Sequence, residues 1–260
     1  ACEPKLLIAD EPTTALDVTI QAQVLGLMSD LQKQTGMAIL LITHDMGIVN
    51  QMADDLCIMY GGQMAEYGSR EQIFSNMTHP YTQKLFSSIP KLEKAEALLN
   101  TIPGMVPSAT EYGKGCRFAD RCSEVMTICH EKESRAHQIS KNHQSVCHLL
   151  EKGPRTSQNQ ISKGEPIPTR NFEDKPIVRI RNLKTYFPVR KGVFLRVANH
   201  IRAVDQIDLD IPKGSTVALV GESGCGKTTL GESILQLVPD ARGEVFFNDQ
   251  NIMKLKGETL

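Results

Sequence analysis

The segment that most constrains this chain is GESGCGKTTL at residues 221–230. It matches the pattern G-x-x-x-x-G-K-[ST] at every fixed position, follows the apolar stretch TVALV, and precedes a helical pattern. In such a loop, glycines let backbone N–H groups turn toward phosphate oxygens, and the following helix adds partial positive charge. An ordinary turn would not need a lysine and two threonines. The segment therefore predicts a nucleotide-binding loop.

The loop also predicts individual roles. Lys227 is expected to reach the β- and γ-phosphates, and Thr228 to bind Mg²⁺. Upstream, an aromatic side chain could stack on the nucleobase, although a place in a sheet core is an equally good interpretation. The expected nucleotide-binding residues are Phe187 (with Tyr186 as its alternative), Gly221, Glu222, Ser223, Gly224, Cys225, Gly226, Lys227, Thr228 and Thr229, of which Cys225 is expected to be a bystander.

Acidic residues follow a second apolar stretch, LLIADEPTTALD at residues 6–17. Asp10 at a strand's carboxyl end could hold nucleotide-bound Mg²⁺, and Glu11 could orient or deprotonate an attacking water. A third stretch, LLITHD, places His44 where it could meet the γ-phosphate. Taken singly, these residues could be a helix cap or a core histidine. Together with the phosphate loop, they favour nucleotide hydrolysis.

The composition is that of a globular protein and excludes some classes. The 260 residues are 40% hydrophobic and 23% charged, and the net charge of −1 gives no support for a nucleic-acid partner. No apolar run approaches the roughly 20 residues of a membrane span. Short, fully apolar strands alternating with helical patterns, such as the helix expected at residues 18–36, predict a parallel α/β sheet.

Four cysteines lie in an irregular segment rich in Pro and Gly, separated by five, six and seventeen residues: Cys116, Cys122, Cys129 and Cys147. Four thiolates in one small segment would suit a tetrahedral Zn²⁺ or a [4Fe–4S] cluster. Unligated thiols remain the alternative. The absence of any C-x-x-C pair argues mildly against a zinc ribbon.

Taken together, LLIADEPTTALD, LLITHD and GESGCGKTT resemble the ATPase subunit of an ABC transporter. The resemblance implies that Asp10 is the Walker B aspartate, Glu11 the catalytic glutamate and His44 the switch histidine. It also implies that Asp17 closes the D-loop and that Phe187 is the adenine-stacking aromatic. The fold implied is that of P-loop NTPase halves with a cysteine-rich irregular extension between them.

Further segments narrow the resemblance. MYGGQMAEYG, IFSNMTHPYTQKLFSSIP, IPGMVPS and GCRFADRC resemble the tail of dipeptide and oligopeptide importers, whose relatives include nickel and glutathione importers. In that family the four-cysteine pattern implies an iron–sulfur cluster. The cofactors implied are ATP and Mg²⁺, and the partners are membrane permease subunits, an extracytoplasmic solute-binding protein and a second ATPase domain. The location implied is peripheral, on the cytoplasmic face of the inner membrane.

The order of the motifs is reversed, because the acidic segment precedes the phosphate loop. The family's LSGGQ-like signature is absent from the sequence, and YGGQ at residues 60–63 lies after the switch histidine and indicates a hairpin instead. We therefore expect the back part of one ATPase domain (1–90), an importer-type extension (91–150), a linker (151–176) and the front part of a second ATPase domain (177–260).

On this interpretation the acidic residues and the phosphate loop serve different ATP sites, and the chain alone hydrolyses no ATP. Two alternatives remain. One is a single circularly permuted domain in which Asp10 and Lys227 share a site. The other is an ABC ATPase of nucleic-acid repair or translation. The repair members of that class carry C-x-x-C zinc modules and bind DNA.

Overall fold

The computed structural model describes residues 3–88, 102–153, 175–191 and 196–255, so most of the expected linker at 151–176 lies outside the described residues. The helices are α1 Val18–Thr35, α2 Met46–Met52, α3 Arg70–Ser75, α4 Pro80–Ser87, α5 Thr127–Glu131 and α6 Lys227–Ile234. The strands are β1 Leu6–Asp10, β2 Ala38–Ile42, β3 Asp55–Tyr60, β4 Gln63–Ser69, β5 His137–Ser140, β6 His143–Ser145, β7 Pro176–Lys191, β8 Arg196–Pro212, β9 Thr216–Val220, β10 Ala241–Phe247 and β11 Gln250–Asn251.

A seven-stranded sheet with the order β1-β2-β9-β3-β4-β6-β5 forms the centre of the molecule. The first four strands are parallel to their neighbours, and the remaining pairs are antiparallel. Every residue of β2 (AILLI) and β9 (TVALV) is buried. Strands that are apolar on both faces are typical of a parallel sheet covered on both sides, so the mixed α/β architecture is confirmed.

Strand β9 lies between β2 and β3 and bonds to both of them. The sequence predicts that residues 1–90 and 177–260 belong to separate domains, whereas here strands from both ranges share one sheet. The physical reason is that β2 and β3 each present an apolar strand edge whose backbone groups need partners, and β9 supplies them.

A second sheet, with the order β11-β10-β7-β8, is antiparallel and packs with α6 against one face of the central sheet. Side chains of β2 alternate between the two faces. Leu40 and Ile42 face α6 and the second sheet, while Ile39 and Leu41 face α1 and α2. The central sheet is therefore the middle layer of three.

Helix α1 and the β3–β4 hairpin form as the sequence predicts. The Asp17 carboxylate caps α1 by accepting a hydrogen bond from the Ile20 N–H at 2.9 Å, and Gly36 ends it with a left-handed φ of 67°. The hairpin turns at Gly61 and Gly62, which both have positive φ. YGGQ is thus a turn between strands, as predicted.

The segment 102–153, called the cysteine-rich extension below, packs on the other side of β3 and β4. Phe118 lies in an aromatic cluster, with its ring centroid 5.1 Å from that of Tyr60 and 5.3 Å from that of Tyr81. These contacts join the extension to the central sheet. None of the helices in the described ranges is both long and apolar enough to cross a bilayer.

Candidate nucleotide site

The phosphate loop connects the carboxyl end of β9 to the N-terminus of α6, as the sequence predicts. Gly226 is the N-cap of α6 and has a φ of 100°, which favours glycine. A Cβ atom at Gly221 would collide with the Met59 carbonyl, and one at Gly226 with the Ala203 carbonyl. Both glycines are therefore required by close backbone contacts beneath the loop.

The β3–β4 turn supports the loop from below. The Gly62 N–H donates to the Cys225 carbonyl at 2.9 Å, and the Gly62 carbonyl accepts from the Asp205 N–H at 2.8 Å. The Cys225 side chain is buried, and burial raises the pKa of its thiol. Cys225 therefore packs under the loop, and its expected bystander role stays a prediction.

Lys227 is buried, and its ammonium group lies inside the loop. Its Nζ donates to the carbonyl oxygens of Gly221 at 2.8 Å and Glu222 at 3.1 Å. Thr228 follows it and is exposed at the start of α6. A phosphate bound at this helix N-terminus would face the lysine and the helix dipole together.

The acidic residues lie at the carboxyl end of β1. Asp10 is exposed and pairs in register with Ile42 of β2. Glu11 Oε1 lies 3.0 Å from His44 Nδ1, and Glu11 Oε2 accepts from the Thr14 hydroxyl at 2.9 Å. These two hydrogen bonds, the one from His44 foremost, lower the pKa of the Glu11 carboxyl group. Glu11 is thus an ionised carboxylate oriented by two neighbours.

The strand order brings the acidic residues and the phosphate loop to one edge of the sheet. Strands β1, β2 and β9 are adjacent and parallel, so their carboxyl ends meet at the same edge. Helix α6 packs across β1 and β2, where Gly231 lies against Ile8 and Ile42. This adjacency results from the position of β9 beside β2. That the two groups serve separate ATP sites stays a prediction.

The expected base-stacking residues lie on β7, and both are half-buried. The Tyr186 hydroxyl donates to the Asp205 carboxylate, and the Arg202 guanidinium lies 5.9 Å from the Tyr186 ring centroid. Tyr186 therefore already has partners on its edge and face. The stacking role of Phe187 stays a prediction.

One interaction of the loop was missed by sequence reasoning. The Arg121 guanidinium donates to both carboxylate oxygens of Glu222, at 2.9 and 3.2 Å. The Tyr81 hydroxyl accepts from the Glu222 N–H at 3.0 Å. Arg121 and Glu222 are far apart in the sequence, and no local pattern pairs them.

The four cysteines lie near one another, and the described residues show no metal-binding group among them. The Cys116 N–H donates to the Cys129 carbonyl at 2.7 Å, and burial raises the pKa of the Cys116 thiol to about 11 and that of Cys147 to about 12. Across the described ranges, no group of three or more His, Cys, Asp or Glu side chains is arranged to hold a metal ion. The structure therefore does not support the expected iron–sulfur or zinc site at Cys116, Cys122, Cys129 and Cys147.

Comparison with known proteins agrees with this geometry. Residues 204–259 match the profile described as "ABC transporter", and residues 65–129 match "Oligopeptide/dipeptide transporter, C-terminal region". Over these two stretches the chain is similar to ABC transporter proteins. It is similar to the glutathione import ATP-binding protein GsiA of Salmonella paratyphi A, with 38% identity over 100% of the chain and 34% of that protein. The Escherichia coli protein of the same name is also 38% identical, over 97% of the chain and 33% of its own length.

The chain thus spans about a third of the length of these curated relatives. The donor set at the sheet edge fits a nucleotide-bound Mg²⁺. Asp10 supplies a carboxylate and Thr228 a hydroxyl, and both are exposed. Hard oxygen ligands of this kind, completed by phosphates and water, are what Mg²⁺ prefers.

Proposed function

We propose that this chain binds MgATP as part of an ABC importer ATPase that powers uptake of peptides or a related small solute. One observation carries the proposal. The phosphate loop follows β9, and the acidic and histidine residues follow the adjacent strands β1 and β2, at the same sheet edge. The match of residues 65–129 to an oligopeptide transporter region favours an importer over a nucleic-acid repair ATPase.

The proposed roles are supported by the motifs and by the contacts of these residues. Lys227 would move from the carbonyl oxygens it now contacts to the β- and γ-phosphates. Asp10 and Thr228 would hold Mg²⁺, which neutralises charge on the phosphates when bound. Glu11, held by His44 and Thr14, would orient the attacking water or accept its proton. Phe187 would stack on the adenine, and Asp17 would serve the D-loop in addition to capping α1.

The partners and location are part of the proposal. In the whole protein, permease subunits in the inner membrane would receive the work of ATP hydrolysis at the cytoplasmic face. A solute-binding protein would deliver the solute to the permease. The names of the relatives support an import system, and glutathione is one member of the peptide-like solute class that we propose.

We propose two successive ATPase domains, within 1–90 and 177–260, as the source of the two halves of this sheet. The order of the motifs supports this proposal. So does the similarity over the whole of this chain to relatives that are about three times its length. The alternative is one permuted domain with a composite site. It is favoured by a specific observation, the insertion of β9 between β2 and β3.

Titration of the 260-residue chain with a fluorescent ATP analogue and Mg²⁺ tests the site. We expect Lys227→Ala to weaken binding at least about tenfold, because it removes a charge-assisted phosphate contact. Asp10→Asn separates the two arrangements. A composite site predicts that this variant loses the Mg²⁺ dependence of binding, whereas separate sites predict no change. Asp30→Asn, on the exposed surface of α1, is the matched control.

Binding that is unaffected by Lys227→Ala would overturn the assignment of the loop. Hydrolysis is tested separately by phosphate release. We expect no turnover by the chain alone, because its sequence lacks the signature motif that completes ATP sites in the family. Turnover that Lys227→Ala abolishes would contradict this expectation.

A further inference from the structure

The cysteine-rich extension contacts the phosphate loop at Glu222. The Arg121 and Glu222 side chains are 6% and 24% exposed, so their ion pair is largely shielded from water. Arg121 Nη1 bonds to both carboxylate oxygens. Charge-assisted hydrogen bonds with this degree of burial are among the stronger polar contacts in proteins.

Arg121 is itself held in place by the extension and the central sheet. Its Nε donates to the Pro103 carbonyl at 2.9 Å, and its Nη1 lies 3.3 Å from the Tyr60 hydroxyl. The guanidinium also lies 5.8 Å from the Tyr60 ring centroid. Because these contacts fix the side chain, little rotamer freedom is lost when it binds Glu222.

Tyr81 holds the same loop residue from the other side. Its ring is fully buried against Tyr60, at a centroid distance of 4.8 Å, and its hydroxyl accepts the Glu222 N–H. The Glu222 carbonyl in turn accepts from Lys227 Nζ. The amide, the carboxylate and the carbonyl of Glu222 are therefore all engaged, and the last of them contacts the lysine that would bind phosphate.

We propose that Arg121 of the cysteine-rich extension and Tyr81 of α4 are positioning residues that together set the conformation of the phosphate loop. The set of Tyr81, Arg121 and Glu222 is called the loop clamp below. The clamp fixes the peptide at residue 222 and with it the carbonyl that directs Lys227. The consequence for ATP rests on the proposed function, whereas the ordering of the loop does not require nucleotide.

Hydrogen–deuterium exchange on the nucleotide-free chain tests the clamp directly. The variant carries Tyr81→Phe and Glu222→Gln, which remove the hydroxyl acceptor and the charge with almost no change in volume. We expect amides 221–228 to exchange about tenfold faster than in the wild-type chain. A tenfold change in the opening equilibrium corresponds to the loss of about one charge-assisted hydrogen bond. Amides of β2, β3 and β9 should keep their rates, which general destabilisation of the core would raise. Asp249→Asn, at an exposed ion pair with Arg179, is the control.

A MgATP titration of the same variants provides the functional readout. We expect the double variant to bind about tenfold more weakly than the wild-type chain, because the loop must be ordered at the time of binding. Loop exchange within twofold of wild type would overturn the clamp. If the wild-type chain binds no MgATP, the proposed function fails, and the exchange rates still decide whether the clamp exists.

Discussion

At the scale of single residues, Glu66 of β4 is the best example of a buried charge with complete partners. It is fully buried and accepts hydrogen bonds from the Thr78 N–H and hydroxyl at 2.8 Å each, the His79 N–H at 3.1 Å, and His143 Nε2 at 2.9 Å. Burial alone opposes the charged form, yet the bonds from His143 and Thr78 outweigh it and lower the pKa of Glu66. This carboxylate joins β4, the start of α4 and β6.

We predict that Glu66→Gln lowers the free energy of unfolding by about 2–4 kcal/mol at neutral pH. The glutamine side chain keeps one acceptor oxygen, but its NH₂ group would face the hydrogen-bond donors that now bind the second carboxylate oxygen. The folded-state pKa is lowered. The contribution is therefore present above the unfolded pKa, near 4.3, and is lost as pH falls through the folded value. Urea midpoints at pH 7.5 and below pH 4 check this. An equal loss at both pH values would contradict the mechanism, and Glu71→Gln on the exposed side of α3 is the control.

The residues of the candidate site were predictable to different degrees. Lys227 and the glycines of its loop follow from a short motif with a mechanical reason for each position. Glu11 and His44 each follow an apolar stretch that predicts a strand, but the contact between them is seen only in the structure. The motif predicts only nucleotide binding for Glu222, and it gives no sign of the pairing with Arg121. Contacts between residues a hundred positions apart leave no local pattern, since either partner alone could face solvent.

At the scale of elements, α1 contains a glycine whose cost can be measured. Gly26 is exposed in the middle of the helix, and a Cβ atom there would meet nothing within 4 Å. We predict that Gly26→Ala raises the free energy of unfolding by about 0.5–1 kcal/mol, because alanine has the higher helix propensity. Gly36→Ala should have the opposite effect, since it forces a side chain into the left-handed region. Urea midpoints of both variants check this, and a shift in the same direction would refute it.

Strands β7 and β8 show where element prediction falls short. The apolar patterns IVRIRNL and AVDQIDLDI mark only parts of them, whereas the strands run for 16 and 17 residues. Their pairing continues past the apolar parts, with register shifts at several points. Long antiparallel strands are stabilised by the backbone hydrogen bonds between them. Their polar ends therefore need not carry a hydrophobic pattern.

At the scale of the whole molecule, the motif order predicts two separate domains, whereas strands from both segments form one sheet. The apolar stretches in residues 1–90 and 177–260 correctly predict the buried parallel strands, such as β2 and β9. Which strand lies beside which depends on the partner available, and several apolar strands of similar length compete for the same edges. Sequence patterns specify the face of a strand more strongly than its neighbour.

We predict that the full chain unfolds in one thermal transition and that a chain ending at residue 153 does not fold cooperatively. Without β9, strands β2 and β3 lose their common neighbour, and the face covered by α6 and the second sheet becomes exposed. Circular dichroism and calorimetry of both chains check this. A cooperative transition of the shorter chain near the full-chain midpoint would show that the segments are independent.

The insertion of β9 also means that the central sheet cannot be completed until late in synthesis of the chain. Its partners on β2 lie roughly 180 residues earlier in the chain. At about 5–20 residues per second, a ribosome needs on the order of ten to thirty seconds to supply β9 after β2 has been made. During that interval two apolar strand edges are open to pairing with other chains. Yield in cells should therefore depend on chaperone supply more than the stability of the finished fold would indicate.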